Sequence, residues 1–320
     1  MPKILTEAQV QSFQRDGFLS PVRAMSAERA GHYRERFESL EARVSDIKKM
    51  KTKSHLLCPW VLDIAEDPYV LDIFEDLIGP NLRCWSMAWR VKKADGETFA
   101  GWHQDSFYGS AVPVVLGALA LSECGSRQGC LRGIPGSHKW GILRHEETDD
   151  PKSILARGQY ISEPFDESKA VDFALHPGEM AMFDNSLVHG SAGNFGPDRR
   201  FLLLVEMLPT WAKPAKVRQP AMLMRGVDTL RQLRRRAQAR RGMVRDRARE
   251  LEPCRRGARQ APLRGQPLRP ERGVRRVTAG DMSGRDGAGS LGSGSTTGRS
   301  SPAPALGVPT CCVLRGKSPT

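Results

Sequence analysis

The sequence predicts a mainly β protein, a double-sheet jelly roll with helices flanking it, and three observations carry that prediction. Amphipathic helical spacing is confined to about the first 80 residues. From residue 82 onward, apolar runs of strand length alternate with turn signals rich in glycine, proline and asparagine. After about Leu230 arginine, glycine, serine and proline replace the apolar pattern. Helices first and strands afterwards favour two packed sheets with helices outside them over alternating βα units.

Taken in order, Thr6 stands three residues before Gln9, the spacing of a capping box. Val10 and Phe13, with Ile4 before the cap, then form the apolar stripe of a short helix that stops at Asp16-Gly17. Residues 26–49 carry helical spacing with many charges, and residues 67–77 form another amphipathic helix closed by Gly79-Pro80. LRCWSMAWRVK reads as a strand, and the near-continuous apolar run VPVVLGALAL reads as one buried on both faces. Trp85, Met87 and Trp89 alternate along the first of these, so they share a face that either lines a pocket or packs in the core. The turn signals GSRQG, IPGSH, HPGE and GNFGPD separate further strands, EMAMF and FLLLVEML among them. Residues 144–170 are polar and aperiodic, a long insertion of the kind that serves as a lid. The predicted organisation is an ordered domain over residues 1–230, helical over 1–80 with the jelly-roll core over 81–210, followed by a disordered tail over 231–320.

Composition supports this division. The net charge of +13 is uneven: 25 of the 49 Lys and Arg but only 7 of the 36 Asp and Glu fall from Trp211 onward. Residues 1–210 therefore carry 24 basic and 29 acidic groups, and the basic surplus says nothing about partners of the globular part. Beyond Trp211 there is no Phe, Trp or Tyr, and beyond Leu230 a single lysine, Lys317. Such a segment buries too little apolar surface to offset its chain entropy. Two readings of it compete, an arginine-rich nucleic-acid-binding arm and the frameshifted extension of a GC-rich gene; missing aromatics weigh against the first. Seven cysteines without a CxxC pair point to reduced thiols rather than disulfides or a zinc site. No apolar run approaches a bilayer span and no signal peptide opens the chain, so a cytoplasmic address is expected.

The sharpest motif is Trp102-His103-Gln104-Asp105. On a strand, residues i and i+2 point to one face, so His103 and Asp105 aim together while Gln104 aims away. An imidazole and a carboxylate on one face are two thirds of the 2-His-1-carboxylate triad that holds iron(II) with positions left open. Among the seven histidines, His189 alone follows a structured approach, the strand EMAMF and then DNSLVHGS, which makes it the best third ligand. His138 sits in a turn, and His145 and His176 flank the insertion. Eleven residues after His189 comes Arg200, on a strand that a hairpin at GNFGPD brings back beside the ligand. An arginine facing the interior needs a carboxylate, and a dicarboxylate cosubstrate would supply one. Arg199 and Arg200 lie on opposite faces, and spacing does not say which points inward.

WHQDSFYG, GCLRGIPGSHKWG, HPGEMAMFDNSLVHGSAGN and the following RR together resemble the phytanoyl-CoA dioxygenase family of iron(II)/2-oxoglutarate oxygenases. LTEAQVQSFQRDGFLSPV and IGPNLRCWSMAWRVKKADG fit it as well, so the resemblance spans roughly residues 5 to 229. It implies a double-stranded β-helix of the cupin kind, with Fe(II) on His103, Asp105 and His189, and 2-oxoglutarate and O2 as cosubstrates. By position the cosubstrate arginine falls on Arg200, a hydroxyl on Ser191 and a further basic contact on Lys92. Substrate contacts fall on Ser106, Phe107 and Tyr108. The implied activity is oxidation, hydroxylation above all, of a small molecule such as a lipid or secondary metabolite; the intact Asp105 disfavours halogenation. Two rivals stand beside it: an inert jelly roll that binds without reacting, and nucleic-acid binding through the tail, which would fall steeply with salt.

Overall fold

Local chemistry sets the first helix. α1 (Glu7–Asp16) opens on a complete capping box, with Thr6 accepting from the Gln9 amide and Gln9 from the Thr6 amide, and closes on Gly17 at φ 82°. The computed structural model describes residues 1–44, 53–105, 113–212 and 220–230 and the backbone of Arg234–Arg235. All of them belong to the compact unit Met1–Arg259. Of the predicted disordered tail, 231–320, only Arg234–Arg235 is described, and it pairs with β12 as a short strand; the rest of the tail and the residue 45–49 end of the second helical region lie outside the described residues.

Three more helices follow: α2 (Ala27–Glu41), α3 (Pro59–Ala65) and α4 (Pro68–Ile78). α4 is capped by Asp67, whose carboxylate accepts from the Tyr69 and Val70 amides. The sequence reading passed over α3, whose cap Cys58 makes no side-chain hydrogen bond and whose local start signal is Pro59 at its first position.

The strands are β1 (Phe18–Arg23), β2 (Leu82–Lys92), β3 (Ala100–His103), β4 (Val115–Ala120), β5 (Leu131–Gly133), β6 (His145–Glu146), β7 (Tyr160–Ile161), β8 (Val171–Phe173), β9 (Glu179–Asp184), β10 (His189–Ser191), β11 (Arg200–Pro209), β12 (Pro220–Arg225) and β13 (Arg234–Arg235). A large sheet has the order β1-β9-β4-β11-β2-β12-β13, and a small one β3-β10-β5-β8. β1, which the sequence reading missed, carries Pro21 and lies at the edge of the large sheet, where a residue without an N–H is tolerated. The insertion at 144–170 contains the short hairpin of β6 and β7.

Strand alternation divides the large sheet into two buried faces. Met87, Trp89, Met180, Met182, Leu203, Val205 and Met207 pack beneath the helices with Phe37, Ile64 and Phe74. Ala88, Leu116, Ala118, Ala181, Phe183, Leu202 and Leu204 turn inward and meet Phe173 and Leu131 of the small sheet. Met87 and Trp89 are therefore core residues, Trp89 lying 4.2 Å from the Phe37 ring, and they do not line a pocket. Trp85 leaves their face because the register of β2 against β11 shifts beside it, and it packs with the inward cluster.

Candidate metal centre

His103 and His189 are direct cross-strand partners on β3 and β10, and their rings stand 4.2 Å apart. Gly133 of β5 is the other neighbour of His189; a Cβ there would come within 2.6 Å of Phe173 and 2.8 Å of Leu187, so the approach requires glycine. Each imidazole is oriented from behind. The His103 Nδ1–H donates to Gly101 O at 2.8 Å and the His189 Nδ1–H to Leu187 O at 2.9 Å, which leaves both Nε2 lone pairs facing forward. Asp105 stands before them, Oδ1 3.6 Å from His103 Nε2 and Oδ2 3.6 Å from His189 Nε2. The three donor atoms lie within 4.8 Å of one another.

The protonation states match the arrangement. Burial, aided by the neighbouring His189, pushes His103 down to about 4, so it is a neutral imidazole with a lone pair to offer. Burial works against ionisation of Asp105, but the adjacent His103 and His189 outweigh it and hold the carboxyl below its ordinary range. Two forward-facing imidazole nitrogens and one carboxylate, held beyond hydrogen-bond distance of each other, fit a divalent iron.

Arg200 and Lys92 are opposed on β11 and β2, and both are essentially unexposed. Arg200 donates to Gly129 O at 2.8 Å and Arg90 O at 3.2 Å, while its Nε has no partner. Lys92 Nζ donates to Ser191 Oγ at 2.8 Å and to the carbonyls of Ser191 and Ala192. Burial, with Arg200 opposite, pushes Lys92 down to about 7. Neither cation pairs with a carboxylate among the described residues. Arg199 points the other way and forms a bidentate pair with Glu41 of α2, at 2.8 and 3.0 Å. Ser106, Phe107 and Tyr108 lie outside the described residues.

Sequence reasoning missed the clamp behind the ligands. Gln104 does aim away from the metal face, and there its Nε2 donates to Gly141 O and Ser186 O while its Oε1 accepts from the Leu143 amide. Its own amide donates to His145 Nε2 at 3.0 Å, and His145 Nδ1–H donates to Leu143 O. Ser137 accepts from the Val188 amide, next to His189. The available signal was the pairing of a buried-type strand with a lid that carries a histidine.

The sequence model of phytanoyl-CoA dioxygenase (PhyH) matches residues 13–202. A Dictyostelium discoideum phytanoyl-CoA dioxygenase domain-containing protein 1 homolog is 32% identical over 102 residues, 31% of this chain and 36% of that protein. The chain's matches span 36% and 41% of the length of the first curated relatives. Among solved structures, the apo form of a non-heme monooxygenase, ThoJ, superposes with TM-score 0.63 at 26% identity over 75% of this chain and 94% of its own. CytC3 with Fe(II) and alpha-ketoglutarate gives TM-score 0.55 at 20% identity over 74% and 94%, a likeness of fold. Among the described residues no helix is long and apolar enough to cross a membrane.

Proposed function

The chain belongs to the phytanoyl-CoA dioxygenase family, and from that premise we propose that it is an Fe(II)/2-oxoglutarate-dependent oxygenase that hydroxylates a small molecule, releasing succinate and CO2. The observation that carries the reading is the unpaired cation pair. Two cations directly opposed on adjacent strands repel, and a buried charge without a counterion is costly. A dicarboxylate reaching in from the metal would supply the missing charge, with Arg200 forming a charge-assisted pair and Lys92 and Ser191 completing the cradle.

His103, Asp105 and His189 would hold the iron. Bound iron, with 2-oxoglutarate and O2, supplies the oxidising power that protein side chains lack. The chain's own part is positional. Gly101 and Leu187 carbonyls fix the imidazoles, Arg200 and Lys92 fix the cosubstrate's far end, and the Ala88, Ala118 and Leu204 wall keeps the interior dry. Residues 1–230 form the catalytic domain in this reading. The retained carboxylate Asp105 favours hydroxylation, since halide chemistry needs that position vacated.

Anaerobic addition of Fe(II) and then 2-oxoglutarate to the purified protein should produce the visible charge-transfer band of the chelate. His189→Ala should abolish it, and Arg200→Ala should weaken cosubstrate affinity by about 100-fold, the worth of a buried charged pair of about 3 kcal/mol. A protein that binds iron yet gives no band would be an inert barrel.

A further inference from the structure

Inside the jelly roll Glu206 is a polar side chain to which the oxygenase reading gives no role. Glu206 is only 8% exposed, and its carboxyl makes no hydrogen bond and no ion pair among the described residues. It shares the inward face of β11 with Arg200, Leu202 and Leu204, about 20 Å along the strand from the cosubstrate arginine. Its cross-strand neighbours place it more closely. Phe183, Leu116, Glu206 and Ser86 form one transverse row across β9, β4, β11 and β2, and the Phe183 ring lies 4.9 Å from the His189 ring. The row therefore passes before the metal centre on the side away from Lys92 and Arg200. The next row toward the cosubstrate, Ala181, Ala118, Leu204 and Ala88, has three alanines among its four side chains.

Arg90 stands on the same wall, on β2 between the Glu206 row and the Lys92 end. Its guanidinium makes one hydrogen bond, to Trp89 O at 3.3 Å, and meets no carboxylate among the described residues. A carboxyl and a guanidinium on one wall, neither in an ion-pair contact among the described residues, are complementary to a molecule carrying both charges. An acyl chain would instead leave both groups desolvated without partners, the costliest arrangement for buried polar atoms.

We propose that Glu206 is a specificity-determining residue that receives a protonated amine, or another cationic nitrogen, of a compact zwitterionic substrate, while Arg90 meets that molecule's acidic group. This deepens the iron/2-oxoglutarate reading and rests on it. Burial, with Asp105 nearby, pushes the Glu206 carboxyl up to about 8 against the lowering pull of Arg90 and Lys53; an arriving ammonium would add to that pull and restore the carboxylate.

The full chain, loaded anaerobically with Fe(II) and 2-oxoglutarate, is titrated with γ-aminobutyrate, δ-aminovalerate and ε-aminocaproate, and with the carboxylates and alkylamines of matching length. Binding is read by calorimetry and by perturbation of the chelate band. The best ω-amino acid should bind at least about ten-fold tighter than its matching carboxylate. Glu206→Gln, which keeps shape and loses charge, should erase that preference while its chelate band stays as in the wild type; Glu206→Leu should do the same. Arg90→Gln should erase the preference over the alkylamine. A carboxylate or a neutral probe binding as well as the ω-amino acid, or a preference that survives Glu206→Gln, overturns the proposal. So does failure of every ω-amino acid to bind. A normal band beside any of these results leaves the oxygenase reading intact, whereas a wild type with no band removes both.

Discussion

Lys92 and Arg200 face one another across two strands, neither paired with a carboxylate among the described residues, and that arrangement has a pH signature. Lys92 titrates at about 7, below its ordinary 10.5, because burial and the opposing Arg200 disfavour the ammonium. A base with a depressed folded pKa penalises the folded state in full below about 7, and the penalty fades as pH rises toward 10.5. The protein without cosubstrate should thus gain stability through that window. The dianion reverses the preference, since it binds the ammonium form. Above pH ~7 its binding should take up a proton and weaken as pH rises. Calorimetry at pH ~8 in two buffers of different ionisation enthalpy measures the uptake, and Lys92→Met should abolish it. Zero uptake in the wild type would remove Lys92 from the cosubstrate pocket. At this scale the sequence was legible where local spacing decides: His103 and Asp105, two residues apart, come together although β3 ends on His103. It was silent where a distant partner decides. Arg199 and Arg200 are separated only by Glu41, which α2 brings from 158 residues away to claim the first of them.

Elements, rather than single residues, hold the ligands in register. β3 ends on His103, and the backbone between His103 and Asp105 is tied to the insertion through Gln104 and His145. Gln104 is 4% exposed and uses both ends of its amide. Gln104→Leu keeps the volume and removes three hydrogen bonds, leaving the Gly141 and Ser186 carbonyls and the Leu143 amide unmatched. We expect a loss of about 2–4 kcal/mol in stability and about ten-fold or more in iron affinity. Denaturant unfolding and an anaerobic iron titration measure the two. Wild-type iron affinity in this variant would mean that the insertion does not position the ligands. β2, β4, β9 and β11 and the caps of α1 and α4 could be read from periodicity and capping residues, because those signals are local. β1 could not, since Pro21 argues against a strand until its edge position is known. The face of Trp85 was equally hidden, since a shift in register between two strands leaves no mark in either one.

The molecule as a whole closes on β12 and the residues just after it. Arg225 on β12 pairs with Asp72 and Glu75 of α4, and Asp228 pairs with Arg83 of β2, both members of that second pair at 1% side-chain exposure or less. Residues just short of Leu230 are thus built into the large sheet and its helical cover, while most of the basic surplus of the sequence lies beyond them. The change of composition near Leu230 was legible because it is a property of many residues at once; the ion pair just before it was not, because Arg83 and Asp228 are 145 residues apart. This fixes where the catalytic domain is proposed to end. A chain stopped after residue 235 should keep the chelate band and its thermal midpoint. A chain stopped after residue 219 loses both anchors and should fail to fold. Asp228→Ala in the full chain takes the carboxylate from a buried arginine, at an expected cost of about 3–5 kcal/mol by denaturant unfolding. A cost below about 1 kcal/mol would show that the closure at Asp228 is incidental, and the domain boundary would then move back toward β11.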